Sequence, residues 1–189
     1  MEAVFYIKNM VCDRCIKVLH EEITAQHLRV KSIELGKVTL YSTDRDFSAS
    51  LLEPILEKNG FSLIKTPDLK LVELVKIEIV KLIHDLPLKL KENLSVYLSN
   101  KLAKDYSSIS KVFSYIECTT IEKYFIKMKI EKVKELIQAG ELNFTEISQL
   151  LDYSNVNHLS NQFKIETGMS MSEYKSLDVK VRNSLDQIL

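Results

Sequence analysis

The sequence predicts an α+β chain: a βαββαβ unit in the first third, then an all-α region with two helix-turn-helix units joined by a long helix. Three observations predict it. Residues 1–66 switch between alternating and three-to-four apolar spacing at short intervals. A dense apolar stripe follows over residues 69–84. The last half matches itself when shifted by 50 residues.

Ala3-Val4-Phe5-Tyr6-Ile7 is β-branched and aromatic, which suits a buried strand. From Cys15 to Ala25, Ile16, Leu19 and Ile23 fall on one helical face. Two alternating runs follow, Ile33 with Leu35 and Val38 with Leu40. Gly36-Lys37 between them predicts a type II′ turn, with Gly in the first central position. Leu51, Leu52, Ile55 and Leu56 mark a second helix, stopped by Asn59-Gly60. Pro54 suits only the first turn of such a helix. Phe61-Ser62-Leu63-Ile64 is the last strand, which completes the split βαβ order.

The 189 residues allow one or two domains. Apolar residues make up 46%, with four Gly and three Pro, which excludes a disordered or collagen-like chain. Three Cys without framework spacing argue against a disulfide-stapled secreted domain. Neither a basic segment followed by an apolar run nor a stretch of membrane-spanning length is present, so a soluble cytoplasmic protein is expected. Basic and acidic residues balance at 26 each, which weighs against a broadly basic nucleic-acid binder.

The segment Asn9-Met10-Val11-Cys12-Asp13-Arg14-Cys15 lies between the first strand and first helix. Thiols at a helix start gain from its partial positive charge, and a thiolate pair grips a soft metal ion. This loop in this element order resembles the heavy-metal-associated domain family, of ferredoxin-like fold, over residues 3–65. Met10, Cys12, Cys15 and Gly60-Phe61 match its GMxCxxC loop and Gly-aromatic pair, while Asn9 stands where that family prefers Gly. The resemblance implies Cys12 and Cys15 as metal ligands and Met10 as a core residue. Cu(I) and Zn(II) both suit thiolates. Two ligands leave a divalent site incomplete, to be closed by Asp13 or a second chain. Two other readings stay open: a redox pair, and a domain that keeps the thiols but senses nothing. His20 and His27 are expected on the surface.

Residues 67–88 are expected to form a connecting helix after Thr66-Pro67-Asp68. Its stripe, with Val72, Val75, Ile79 and Leu82, is too wide for one neighbour. One side could meet a second copy of the chain, giving a homodimer, or the whole helix could be buried within one chain.

In residues 89–189, Ile109-Ser110-x-x-Phe113 overlays Leu159-Ser160-x-x-Phe163, Cys118 overlays Gly168 and Tyr124 overlays Tyr174. Upstream the offset is 49, with Leu98 over Ile147 and Leu102 over Leu151. Each copy reads helix, polar turn, helix: Leu94–Ala103 then Ser107–Ile116, and Thr145–Leu151 then Ser154–Glu166. Thr120 to Ala139 has no Gly or Pro and predicts one helix of roughly 30 Å, against a groove repeat of roughly 34 Å on one face of DNA.

These residues resemble the AraC/XylS family of bacterial transcription regulators. The most specific part is Ile147-Ser148-Gln149-Leu150-Leu151-Asp152-Tyr153-Ser154, followed by His158-Leu159-Ser160-Asn161-Gln162-Phe163-Lys164 and Gly168. The family usually has Ala at Ser148, Gly at Asp152 and at Cys118, and Pro at Met171. The resemblance implies a double helix-turn-helix domain that binds double-stranded DNA.

With Ile109, Phe113, Leu159 and Phe163 inward, the outward positions are Ser107, Ser110 and Lys111 in one copy and Asn155, Asn157, Ser160 and Asn161 in the other. Asn pairs well with adenine, and Ser is permissive. Lys101, Lys104, Lys127, Lys132 and Lys164 are available for phosphates. Residues 101–138 carry eight Lys against one Asp and four Glu. Weak binding by one copy and a need for dimers are expected. Cys118 is expected to be a small packed residue, and Tyr124 and Tyr174 core anchors. No catalytic constellation is recognisable, so no enzyme is expected.

The combined expectation is a transcription regulator that answers to a soft metal ion at Cys12 and Cys15. Two alternatives stand beside it: a metal carrier with a helical docking module, and a regulator that senses redox state or a protein partner.

Overall fold

The computed structural model describes residues 2–10, 12–41 and 44–178. The chain is α+β and mostly helical, with one four-stranded antiparallel sheet and nine helices among the described residues. It divides into two compact units, Met1–Ile77 and Glu78–Leu189. Residues 179–189 of the expected C-terminal domain lie outside the described residues.

In the first unit, β1 (Glu2–Lys8) is followed by α1 (Asp13–Ala25), β2 (Val30–Glu34), β3 (Lys37–Tyr41), α2 (Arg45–Lys58) and β4 (Ser62–Leu63). The sheet order is β2-β3-β1-β4. Ala3, Phe5 and Ile7 alternate inward along β1, as the period of a strand requires. They join Leu19 and Ile23 of α1 and Leu52, Ile55 and Leu56 of α2 in one buried cluster. Both helices therefore pack on the same sheet face. Pro54 lies inside α2 and not in its first turn, at an exposed position.

The hairpin differs from the expected type II′ turn. Glu34 pairs with Lys37, so Leu35 and Gly36 are the central residues. Gly36 is second, at φ 69°, and Leu35 is not at positive φ, which are the signs of a type II turn. The cause is packing: Leu35 is partly buried against the core, and Ile7 N–H donates to the Gly36 carbonyl at 2.9 Å. A Cβ at Gly36 would fall 2.2 Å from Ile77 Cδ1, a side-chain tip that can shift, so the left-handed φ of 69° is what favours Gly there.

Helix α3 (Pro67–His84) runs across the 77/78 division. No residue from Leu69 to Val80 is exposed, and Glu73 and Lys76 are buried among the apolar side chains. Leu69, Leu71 and Leu74 are half-buried in that stretch.

The second unit contains α4 (Leu94–Leu102), α5 (Tyr106–Glu117), α6 (Ile121–Ala139), α7 (Phe144–Leu150), α8 (Val156–Thr167) and α9 (Met171–Ser176). Its internal repeat is visible in the packing. Phe113 meets Tyr124 at 5.8 Å between ring centroids, and Phe163 meets Tyr174 at 5.6 Å. All four rings are buried, as are Ile109 and Leu159. Helices α5 and α8 both end in a left-handed residue, Cys118 at φ 52° and Gly168 at φ 79°. Cys118 is therefore an exposed cap and not the packed residue expected. Ser148 is buried and keeps its hydroxyl satisfied by donating to the Thr145 carbonyl at 2.8 Å.

Candidate functional site

Cys12 and Cys15 come together at the start of α1, with Sγ atoms 3.3 Å apart. Cys12 is the N-cap, and its carbonyl accepts from the Cys15 N–H at 3.0 Å, so one helical turn sets the thiol spacing. Both thiols are partly exposed. Met10 is buried in the core beneath them, which excludes it as an exposed ligand. Asn9 sits at φ 72°, in the left-handed region that Gly prefers and Asn tolerates. Its backbone N–H donates to Glu73 of α3 at 2.9 Å.

The thiol pair fits a soft ion held by two sulfurs. Two thiolates on one tetrahedral Zn(II) stand about 3.8 Å apart for a Zn–S bond of about 2.3 Å, a small displacement from the observed spacing. No group of three or more His, Cys, Asp or Glu side chains placed to hold a metal ion is found among the described residues. Asp13, His20 and His27 are exposed.

The second unit presents matched polar faces. Ser107, Lys111 and Tyr115 are exposed on α5, four residues apart, and Asn157, Asn161 and Ile165 are exposed on α8 at the same three places, each 50 residues later. Tyr115 is 86% exposed and Ile165 75%, unusual for residues of this size. Ser110 and Ser160 are half-buried beside these stripes. Helix α6, which separates the two pairs in sequence, is about 29 Å long for its 19 residues.

Two expected contact residues have work within the fold. Asn155 precedes α8 as its N-cap, its Oδ1 accepting from the His158 N–H at 2.9 Å. Ser107 donates its hydroxyl to Asp105, the N-cap of α5. That hydroxyl, with the Ser108 and Ser107 N–H groups, holds the Asp105 carboxyl below its usual range. Among the lysines, Lys101, Lys104 and Lys164 are exposed and Lys127 is half-buried. Lys132 is engaged instead, its ammonium 2.6 Å from Glu135 with the side chain only 13% exposed.

Ser108 and His158 are exposed on the same helices and were not singled out by the sequence. The signal for them is position: each directly precedes an inward residue, Ile109 or Leu159, in the first turns of its helix. Lys129 is likewise not singled out by the sequence. It is buried in α6, with its ammonium 3.8 Å from the Tyr153 ring centroid. Burial lowers its pKa to about 8, against an opposing pull from Asp152, and burial pushes the Tyr153 hydroxyl up to about 12.

No helix among the described residues is long and apolar enough to cross a membrane. The chain matches no protein-family model, and no curated protein or solved structure is significantly similar to it.

Proposed function

We propose that the chain is a sequence-specific DNA-binding transcription regulator of AraC type that responds to a thiophilic metal ion at Cys12 and Cys15. The observation that carries this reading is the repeated exposed stripe. Two helices in one chain present the same three positions, 107, 111 and 115 on one and 157, 161 and 165 on the other, to solvent. Each is preceded by a short helix, as in a helix-turn-helix whose second helix enters a major groove. The length of α6 supports a spacing near one turn of DNA. For the first unit, support comes from the βαββαβ order with sheet order β2-β3-β1-β4, the arrangement of a ferredoxin-like domain.

In this reading Cys12 and Cys15 hold the ion, Cu(I) more readily than Zn(II) because only two thiolates meet. Bound, the ion would supply a cross-link between the Cys12 and Cys15 sulfurs and offset part of their negative charge. The Asn9 backbone ties that loop to Glu73 of α3, and α3 continues to His84. Ordering the loop thereby biases the helix that leads into the DNA-binding unit.

The test is selection from random DNA duplexes with the full chain, purified under reducing conditions, with and without Cu(I). Enrichment of two short motifs about one helical turn apart is expected. Failure to enrich any sequence overturns the DNA reading. Enrichment that is indifferent to Cu(I) and to the Cys12→Ala, Cys15→Ala pair overturns the metal response. A redox pair is the second reading, favoured by the 3.3 Å thiol separation, and the metal content of the reduced protein separates the two.

A further inference from the structure

Within the second unit an open, largely solvent-facing depression of about 680 Å³ lies beside α6. Leu88, Leu94 and Phe125 supply apolar wall, and Lys129 lies in its lining. Lys129 is 8% exposed and makes no hydrogen bond or ion pair with a described residue. Its ammonium is held by the Tyr153 ring at 3.8 Å and, more distantly, the Phe125 ring at 5.6 Å. No side-chain nitrogen among the described residues is both fully buried and unpartnered; the Lys129 ammonium borders the depression between two ring faces, with no anion of a described residue within hydrogen-bond reach.

We propose that this depression binds a small organic anion, a carboxylate carried on a compact apolar body, with Lys129 as its charge partner. The apolar body replaces solvent against Leu88, Leu94 and Phe125, and the carboxylate supplies the hydrogen-bonded counter-charge that Lys129 lacks. The other charged groups lining the depression are Lys91 and Glu92 before α4 and Asp152 in the α7–α8 turn. Glu92 already accepts from Asn100 Nδ2 at 3.3 Å. Asp152 attracts Lys129 from a distance without bonding to it, so it competes with the ligand.

The site also touches the α8 cap. Tyr153 packs edge-on against His158 at 5.3 Å, and the His158 N–H is the donor to Asn155 at the head of α8. Any influence of the ligand on DNA through this contact rests on the proposed DNA reading. The binding test uses no DNA, so the two readings fail separately.

The experiment titrates the isotope-labelled full chain with benzoate and with benzyl alcohol, its neutral counterpart, and follows amide shifts by NMR. Saturable benzoate shifts are expected at residues 88–96, 125–129 and 152–153, with benzyl alcohol binding at least about tenfold weaker, the minimum for loss of one charged hydrogen bond. Lys129→Met, which keeps the apolar stem, is expected to weaken benzoate by a similar factor. Asp152→Asn, which tolerates the left-handed backbone at φ 56°, is expected to tighten it. Raising the pH through 8 weakens benzoate and not benzyl alcohol, because Lys129 loses its proton. Equal affinity for the two probes, or shifts absent from these residues, overturns the proposal. Should Lys129→Met fail to fold, the ratio of the probes and its pH dependence in the unaltered chain decide the matter.

Discussion

The buried carboxylate of Glu73 accepts the backbone N–H of Asn9 at 2.9 Å, across 64 residues of sequence. Asn9 stands three positions before Cys12, at a left-handed φ that turns the chain out of β1 toward the thiol loop. The bond therefore fixes the root of the loop to α3.

Replacing Glu73 with Ala leaves that N–H without its acceptor in a partly buried setting. A loss of about 1–3 kcal/mol in unfolding free energy of the first unit is expected, read from urea denaturation. Glu73→Gln retains an acceptor oxygen and is expected to lose less. Modification of Cys12 and Cys15 by a thiol reagent is expected to run faster in Glu73→Ala than in Glu73→Gln. Equal rates would show that the bond does not hold the loop.

Cys118 occupies the left-handed cap that Gly168 fills in the other copy. A side chain there costs backbone energy that Gly avoids. Since Cys118 is exposed, its removal sacrifices little packing. Cys118→Gly is expected to raise stability by about 0.5–1 kcal/mol, or about 2–4 °C in thermal unfolding of the second unit. Gly168→Cys is expected to lower it. A destabilised Cys118→Gly would mean that the thiol makes a contact worth more than the strain.

The same residues show what the sequence could carry. Ile109, Phe113, Leu159 and Phe163 were readable because inward positions repeat at fixed spacing, and so was the pairing of both copies with Tyr124 and Tyr174. The left-handed positions Asn9, Cys118 and Asp152 carry no local signal in their own residue types, and were marked only because the resembled families prefer Gly there. Asn155 looked outward from its place in the chain, yet capping α8 occupies its oxygen. Nothing in the sequence sets Glu73 and Lys129 apart from the other charged residues of their helices. Their burial depends on residues distant in sequence, which no local periodicity records. The thiol pair was legible since three residues and a helix start suffice to place it.

Lys129 gives the stability of the second unit a pH dependence of definite sign. Its folded pKa is about 8, against about 10.4 for an unfolded lysine. Between those values the unfolded chain holds the extra proton, so stability rises with pH across this window. Below pH 8 the lysine is charged in both states, and the full burial cost, up to about 3 kcal/mol, applies. Lys129→Met is therefore expected to be more stable than the unaltered chain at pH 7, with the gain shrinking toward pH 10. A gain that stays constant across that range would place the ammonium in better solvated surroundings.

Phosphate contact by the second unit has its own signature in salt. Lys101, Lys104, Lys111 and Lys164 are exposed, Lys127 is half-buried, and Lys132 is occupied by Glu135. Five contacts imply a slope of about −4 to −5 in the logarithm of the binding constant against the logarithm of salt. Affinity for a selected duplex is then expected to fall about 500-fold between 50 and 200 mM salt, within the range typical of such contact numbers. Lys111→Ala is expected to reduce the slope by about one unit and weaken all sequences alike. Asn161→Ala is expected to leave the slope unchanged and relax preference at one base pair, at a cost of about 1–3 kcal/mol. Lys132→Ala should do neither, because its charge is already spent on Glu135. The three variants measured together distinguish a DNA surface from a merely polar one: a slope near zero, or identical effects of Lys111→Ala and Lys132→Ala, would remove α5 and α8 from the interface.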